Sequence, residues 1–242
     1  MNKITKRIKL ILEGKTIKDK FKILFSVFLL NKYRPSVYLK NRDGLFFVRK
    51  NSSDLWMLST LGEAEIRDYF KLNEGCFLDI GANVGKYSVI IAKQLKDKGF
   101  VLCFEPEPKN LIALKRNLLL NKLNNVNIVP IALSDRKGNI DFYLNSENTG
   151  GHSLVNKTKN KITVKSDKLD NVIKQQNVRN IKLIKIDVEG AEMKVLKGAE
   201  NLLKKDHPKI IFETDYPEII LPYLKKFHYN IKKISDRDYF AN

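Results

Sequence analysis

The sequence predicts an α/β fold in which a mostly parallel β-sheet carries helices on both faces. From about residue 61 onward, short apolar runs alternate with longer segments whose apolar residues recur at helical spacing. Strands that alternate with helices form parallel sheets with right-handed crossovers. One connection is distinctive: an apolar run ends in Asp79-Ile80-Gly81-Ala82-Asn83-Val84-Gly85, and a helical pattern begins at Lys86. A strand, a tight glycine turn and a helix N-terminus in this order are typical of sites for nucleotide-like ligands.

Residues 1–60 are predicted to form a basic extension made of helices and a β-hairpin. Between its lysines, apolar side chains recur at helical spacing, first at Ile4, Ile8, Ile11 and Leu12. Residues 20–33 repeat this pattern, and Pro35 interrupts it. Residues 37–50 then form two short apolar runs around the turn-forming residues 41–44, which predicts a hairpin.

Residues 61–242 are predicted to form the main domain. Its strands correspond to short apolar runs, and its helices to segments whose apolar residues recur with the 3.6-residue period. Pro108 suits the first turn of its helix, because proline lacks the N–H that is unpaired there. The predicted elements in chain order are helix 62–72, strand 76–80, helix 86–95, strand 100–104, helix 108–120, strand 126–133, short strands 139–144 and 162–165, helix 169–175, strand 181–186, helix 191–203, strand 209–212, helix 217–227 and strand 229–234.

The chain is strongly basic, with 45 Lys and Arg against 27 Asp and Glu and a net charge of +18. Such a charge favours anionic partners, namely nucleic acid, acidic lipid headgroups or acidic glycans. A compositional bias toward Lys, Asn and Ile is the alternative explanation. The amphipathic helices within residues 1–34 could lie on an anionic membrane or pack their apolar faces on the main domain.

Two cysteines, Cys76 and Cys103, lie in or beside apolar strands without a CxxC spacing or a nearby histidine. They predict buried, reduced thiols and a cytoplasmic protein, with peripheral membrane association as the other option. The longest apolar run, residues 23–30, is too short to span a bilayer, and no signal-peptide cleavage site follows it.

The glycine turn favours one class of ligand over two others. It lacks the G-x-G-x-x-G pattern of dinucleotide sites, because Asn83 takes the place of the second glycine. It also lacks the Gly-Lys-Ser/Thr of a P-loop. Glu105 closes the next strand, where its carboxylate can reach a ribose diol. The sequence therefore predicts an adenosine ligand without phosphates.

Polar residues close five of the predicted strands at the edge where such sheets bind ligands. These residues are Asp79, Glu105, Ser134, Asp187 and Glu213. Strand periodicity places Lys185 on the same side as Asp187, and a lysine inside a core strand is costly unless it is paired.

No metal ion is predicted at this edge. Asp187, Glu189 and Glu213 could bind a hard cation, but the cluster contains no histidine or asparagine. Glu189 and Glu192 also suit a second role, since carboxylates at a helix start complement its dipole. His152 lies in a polar loop after the third strand, where it is either a general base or a solvated side chain.

Several ordered motifs between about residues 61 and 240 resemble the FkbM family of S-adenosylmethionine-dependent methyltransferases. They are Phe77 to Gly85, Phe104-Glu105-Pro106, Ala132-Leu133-Ser134-Asp135 with Gly138, and Ile184 to Glu192. The resemblance implies a class I methyltransferase (Rossmann-like) fold and O-methylation of a hydroxyl on a sugar, glycolipid or other small molecule. The C-terminus departs from the family, because only residues 238–241 remain for the usual closing antiparallel strand.

The resemblance also implies roles for individual residues. Asp79, Gly81, Asn83 and Gly85 would shape the methionine side of the cofactor site, Glu105 would hold the ribose, and Ala132 would lie near adenine. Asp187 falls where a catalytic or substrate-orienting acid is expected. We hypothesise that Asp187 or His152 accepts or orients the hydroxyl proton, while Lys185 keeps Asp187 ionised.

Two other functions compete with this one. The charge would suit an RNA ribose methyltransferase, although nucleic acid is not the favoured partner, because the Asp-Val-Glu-Gly turn after residue 186 lacks the Pro-Pro-aromatic pattern that receives a flipped base. A non-catalytic protein that binds the cofactor or a membrane is the other alternative. The sequence does not identify the acceptor or the oligomeric state.

Overall fold

The computed structural model describes residues 3–24, 26, 35–63, 65–145 and 151–242. The described helices are α1 Lys3–Leu12, α2 Ile17–Leu24, α3 Asp54–Leu58, α4 Lys86–Leu95, α5 Pro108–Leu120, α6 Leu169–Gln175, α7 Glu192–Lys197, α8 Glu200–Lys205 and α9 Pro217–Lys225. The described strands are β1 Val37–Lys40, β2 Leu45–Val48, β3 Gly75–Ile80, β4 Gly99–Phe104, β5 Val126–Val129, β6 Ala132–Leu133, β7 Gly138–Tyr143, β8 Lys161–Asp167, β9 Ile181–Ile186, β10 Lys209–Glu213, β11 Ile231–Lys233 and β12 Asp238–Ala241.

A seven-stranded sheet in the order β11-β12-β10-β9-β3-β4-β5 forms the centre of the main domain. The five strands from β10 to β5 are parallel, as the alternation of strands and helices predicts. The last strand, β12, inserts antiparallel between β10 and β11. The four residues at the C-terminus are therefore enough for the closing strand that the resemblance requires.

Two hydrophobic cores cover the two faces of this sheet, and their residues alternate along β3. Leu78 and Ile80 belong to one core, which α6 to α9 cover. Phe77 belongs to the other, which α4, α5 and the N-terminal extension cover. Strands buried on both faces are typical of parallel sheets. Cys76 and Cys103 are buried free thiols, as predicted.

The hairpin β1–β2 is fastened to the main domain by side chains of α5. The side-chain oxygen of Asn117 accepts from the N–H of Phe47 at 2.8 Å, and that of Asn121 accepts from the N–H of Leu45 at 3.0 Å. Both strands also contribute to the core that contains Phe77. The extension therefore shares a core with the main domain, and the boundary near residue 60 stays a prediction.

The predicted helix 62–72 is wrong, because its described part contains only a 3-10 turn at Arg67–Tyr69. Glu63 has φ 53°, which interrupts a right-handed helix. The carbonyl of Gly62 accepts from Lys86 Nζ at 2.7 Å instead of from a backbone N–H one turn later.

Two other predicted elements are each divided in two. Predicted strand 126–133 separates at Pro130, which has no N–H for a ladder, and β6 joins β7 and β8 in a small three-stranded sheet. Predicted helix 191–203 separates at Gly198, where an added Cβ would lie 2.3 Å from the carbonyl oxygen of Ser134. The Asp170 carboxylate then accepts from the N–H groups of Asn201 and Leu202 in the first turn of α8.

The two predicted N-terminal helices are only partly comparable with the structure. α1 and α2 form within residues 3–24, but most of the second predicted helix, residues 20–33, lies outside the described residues. Within the described part of the chain, every helix is too short or too polar to cross a membrane.

Candidate active site

Two adjoining cavities open at the carboxyl ends of the parallel strands. The larger, of about 690 Å³, is lined by strand-end residues and by the extension, and the smaller measures about 50 Å³. Gly81, Asn83 and Asp187 line both cavities. The strand-end residue Ser134 lies elsewhere, since β6 belongs to the small sheet, where the N–H of Ser134 donates to Asp167.

The glycine turn after β3 is held tightly against the neighbouring strands. The N–H groups of Gly81 and Ala82 both donate to the carbonyl of Phe104 at 3.0 Å. Gly81 has φ +81°, and a Cβ there would lie 1.8 Å from the carbonyl oxygen of Asp187. Gly85 has φ +86° at the start of α4, and a Cβ there would lie 2.4 Å from a terminal methyl group of Leu114. Glycine is therefore required by both backbone and space at Gly81, and mainly by the backbone conformation at Gly85.

Glu105 is fixed by three hydrogen bonds beside this turn. Its Oε2 accepts from the N–H of Asn83 at 2.8 Å, and its Oε1 accepts from the N–H of Glu107 at 2.9 Å and from Asn110 Nδ2 at 3.3 Å. Burial raises the pKa of Glu105 to about 7, although these hydrogen bonds favour the carboxylate. The Glu105 carboxylate is therefore a fixed hydrogen-bond acceptor whose protonation state changes near pH 7.

Apolar side chains form much of the smaller cavity, including Ile131, Ala132 and Phe142. His152 lies in this cavity, and its Nδ1 accepts from the N–H of Asn145 at 2.9 Å. Burial lowers the pKa of His152. The structure thus places His152 with Ala132 and Glu105, and its predicted role as a base stays a prediction.

Asp79 has one carboxylate oxygen with an unmet hydrogen-bond requirement. Its Oδ2 accepts from Ser88 Oγ at 2.6 Å, whereas its buried Oδ1 has no partner among the described residues. Asp79 is 1% exposed and lines the larger cavity. A buried carboxylate oxygen in this state is a good acceptor for a ligand ammonium group.

The buried Lys185 and the partly buried Asp187 form an ion pair at the junction of the cavities. Lys185 Nζ lies 2.8 Å from Asp187 Oδ2 and 5.1 Å from the centre of the Tyr87 ring. Burial alone would lower the pKa of Lys185, but the carboxylates of Asp187 and Asp79 outweigh it and raise the pKa. The lysine therefore stays charged beside Asp187.

Carboxylates gather around this pair in the larger cavity. Oxygen atoms of Glu63, Asp187 and Glu213 all lie within 4.8 Å of one another. Burial and the charge of Asp187 raise the pKa of Glu213 to about 8. Arg237 Nη1 lies 2.8 Å from Glu213 Oε1, so Arg237 and Lys185 supply positive charge to the cluster. The three oxygens are close enough to bind a cation, but we assign no metal.

Some residues of the larger cavity have no sequence signal. Glu63 lies in the segment predicted as a helix, and Arg237 lies in the short C-terminal tail. Trp56, 50% exposed, was detectable as the single tryptophan of the chain, although nothing in the sequence placed it at the site.

The parallel sheet, the glycine turn and the acidic strand ends together define a class I methyltransferase. The chain belongs to the family of the methyltransferase FkbM domain, whose profile matches residues 79–231. The fold is also similar to the crystal structure of methyltransferase FkbM from Methylobacillus flagellatus KT, with a TM-score of 0.56 and 15% identity over 99% of this chain and 58% of that chain.

Two curated relatives have more specific names. The chain is 29% identical to 2-O-methyltransferase NoeI of Sinorhizobium fredii over 53% of its length and 58% of the relative. It is 30% identical to hexuronic acid methyltransferase AglP of Haloferax volcanii over 52% of its length and 50% of the relative. The chain thus spans about half the length of these two relatives.

The residues present fit S-adenosylmethionine, the cofactor of this class. The carboxylate oxygens of Glu105 would accept from a ribose diol, and the apolar lining of the smaller cavity would face the adenine ring. The unpartnered Asp79 Oδ1 would accept from the ammonium group of the methionine portion. When bound, the cofactor supplies an electrophilic methyl group on a sulfonium.

We expect S-adenosylhomocysteine to bind more weakly as the pH falls through about 7. In the assigned role, ribose hydroxyls would donate to the ionised form of Glu105, whose pKa is raised to about 7 by burial. Below that pH the carboxyl is protonated, and affinity falls by up to about tenfold per pH unit. Calorimetric titration at several pH values measures this slope.

The Glu105→Gln variant should bind S-adenosylhomocysteine more weakly, and its affinity should depend less steeply on pH. Glu213→Gln is the matched control, because the pKa of Glu213 is raised to about 8 but its side chain lines the larger cavity. If the affinity of the Glu105→Gln variant for S-adenosylhomocysteine falls with pH as steeply as that of the unmodified protein, another group controls the pH dependence.

Proposed function

We propose that the protein methylates a hydroxyl group of a sugar or sugar-containing acceptor, with Asp187 as the group that accepts or orients the proton. The observation that carries this proposal is the Lys185–Asp187 pair at the junction of the two cavities. The adenosine portion of the cofactor would lie in the smaller cavity on one side of Asp187, and its methionine portion would reach Asp79 in the larger cavity. An acceptor in the remaining space of the larger cavity would meet the methyl group at the Asp187 carboxylate.

The chemistry of the pair suits a weak oxygen nucleophile. With the cofactor bound, the acceptor hydroxyl would transfer its proton to Asp187 as its oxygen bonds to the methyl carbon, and the electrons of the broken carbon–sulfur bond would remain on sulfur. Lys185 donates to Asp187 Oδ2 at 2.8 Å and so positions the carboxylate, and its own raised pKa keeps it charged. Positioning and a general base together account for large rate gains in displacements of this kind.

The remaining lining of the larger cavity supports a sugar acceptor. Glu63, Glu213 and Arg237 provide acceptors and donors for several neighbouring hydroxyl groups. The relative NoeI, a 2-O-methyltransferase, supports transfer to oxygen, and the relative AglP, a hexuronic acid methyltransferase, supports a sugar acceptor.

The direct test combines ligand binding with an acceptor screen. S-adenosylhomocysteine should raise the melting temperature, whereas NAD and ATP should not. Incubation with S-adenosylmethionine and a panel of neutral hexoses, hexuronic acids and RNA should give a sugar with one added methyl group, detected by mass spectrometry. Methylation of RNA alone would overturn the proposed acceptor, and binding of NAD in place of S-adenosylhomocysteine would overturn the cofactor assignment.

Trp56 should contribute to acceptor binding. Its half-exposed indole lines the larger cavity, where a flat apolar surface can pack against the C–H face of a sugar ring. We expect Trp56→Ala to raise the acceptor KM about tenfold, while kcat and the affinity for S-adenosylhomocysteine change less than about twofold.

Trp56→Phe should recover most of the acceptor affinity, since it keeps an aromatic face. Leu119→Ala is the matched control, because Leu119 is an exposed apolar side chain (77%) on α5 outside the cavity lining. Equal KM values for Trp56→Ala and Leu119→Ala would remove Trp56 from the acceptor site.

A further inference from the structure

Two short helices at the N-terminus expose apolar stripes instead of burying them. On α1 the exposed side chains are Ile4 (62%), Ile8 (49%) and Leu12 (64%), spaced four residues apart. On α2 they are Ile17 (75%), Phe21 (66%) and Leu24 (38%). Residues three or four apart lie on one face of a helix, so each helix presents a continuous apolar stripe.

The sides of α1 and α2 opposite the stripes are packed against the rest of the protein. The opposite sides are anchored, because Leu10 and Ile23 are 6% and 1% exposed within the core that contains Phe77. Asp19 accepts from the N–H of Tyr38 at 3.2 Å, and Glu13 accepts from the N–H of Thr60 at 3.2 Å. The extension is therefore docked on the main domain through one side and presents its other apolar side outward.

The charge of the segment identifies the kind of partner. Residues 3–24 contain eight Lys and Arg and two acidic residues, and both acidic side chains, Glu13 and Asp19, are buried. Exposed lysines, among them Lys6, Lys9 and Lys18, accompany the stripes. An apolar stripe bordered by lysines matches the acyl boundary and the anionic headgroups of a membrane.

We propose that α1 and α2 dock the protein on the surface of an anionic membrane, with the two stripes entering the headgroup boundary. Helices of 10 and 8 residues lie on a bilayer and do not cross it. Leu10, on the buried side of α1, lines the larger cavity. Docking would thus hold a wall of that cavity at the membrane, which, if the proposed function is correct, favours a lipid-linked sugar as acceptor.

Sedimentation with lipid vesicles tests the docking without using methyl transfer. The full chain should sediment with vesicles of phosphatidylcholine and phosphatidylglycerol, and at least tenfold less with phosphatidylcholine alone. Raising the salt concentration should weaken binding, since it screens the lysines. Failure to bind anionic vesicles would overturn docking and leave the methyltransferase assignment untouched.

The triple variant Ile4→Ser, Ile8→Ser, Leu12→Ser should bind anionic vesicles at least tenfold more weakly, because it removes the α1 stripe and keeps the charge. The double variant Ile112→Ser, Leu119→Ser removes exposed side chains of α5 and should bind as the unmodified protein does. Both variants should keep the thermal shift with S-adenosylhomocysteine, which shows that they fold.

Two other outcomes would overturn the proposal. If the triple variant binds vesicles as the unmodified protein does, charge alone explains binding and the stripes do not insert. If the unmodified protein instead forms dimers that the triple variant abolishes, as sedimentation velocity without lipid would show, the stripes bind a second copy of the chain.

Discussion

Asp187→Asn is expected to lower kcat by about 10²- to 10⁴-fold, the usual contribution of a general base. The amide keeps the size of the side chain but cannot accept the hydroxyl proton. Lys185 also loses its ion-pair partner at 2.8 Å, which leaves a buried ammonium group less well compensated. The measurement is the initial rate of methyl transfer at saturating cofactor and acceptor.

The affinity for S-adenosylhomocysteine should stay within a few-fold in Asp187→Asn, because Glu105 and Asp79 remain. Asp141→Asn is the matched control, since Asp141 also pairs with a lysine, Lys161, at 2.7 Å but lies on the small sheet. If Asp187→Asn turns over at the rate of the control, Asp187 is not the base, and His152 becomes the group to test.

Gly81→Ala is expected to destabilise the protein by about 2–5 kcal/mol, the sum of backbone strain and overpacking. The new Cβ would lie 1.8 Å from the carbonyl oxygen of Asp187, and φ +81° disfavours alanine independently of space. To accommodate this Cβ, the ends of β3 and β9 must move apart. This movement would strain the hydrogen bond of 3.0 Å that the N–H of Asp187 donates to the carbonyl of Ile80. Urea denaturation measures the loss, and cofactor affinity should fall at least tenfold.

Gly138→Ala separates the two causes of this loss. Gly138 also has a positive φ, of +150°, but a Cβ there meets no atom within 4 Å. We expect a smaller loss of stability and an unchanged affinity for S-adenosylhomocysteine. A Gly81→Ala protein with the urea midpoint of the unmodified protein would mean that the turn is much more deformable than its contacts indicate.

Much of the central fold was predictable because its elements are local and strongly patterned. The bounds of α4, α5, α6 and β9 coincide with those predicted, and β3 begins one residue earlier. Strands buried on both faces form uninterrupted apolar runs, and helices on a sheet keep one apolar face. These patterns depend on the chain itself and require no knowledge of distant contacts.

The breaks were not predictable in the same way. Pro130 was visible in the sequence, but the transfer of Ala132 and Leu133 to a second sheet depends on pairing with β8, more than thirty residues further along. Predicted helix 191–203 divides at Gly198, where the carbonyl of Ser134, more than sixty residues away, approaches the backbone. Lys86 Nζ donates a hydrogen bond to the carbonyl of Gly62. The sequence patterns of these two segments did not predict this contact.

By itself the sequence determined the sheet, the glycine turn and the positions of Asp79, Glu105, Lys185 and Asp187, because strand periodicity and strand ends place these residues at one edge. Tertiary structure alone decided which other groups join them. Glu63 and Arg237 reach Asp187 and Glu213 from segments far apart in the chain, and His152 lines the smaller cavity together with Glu105. It also decided that α1 and α2 leave apolar stripes uncovered, since an amphipathic pattern shows that a face is apolar but not what covers it.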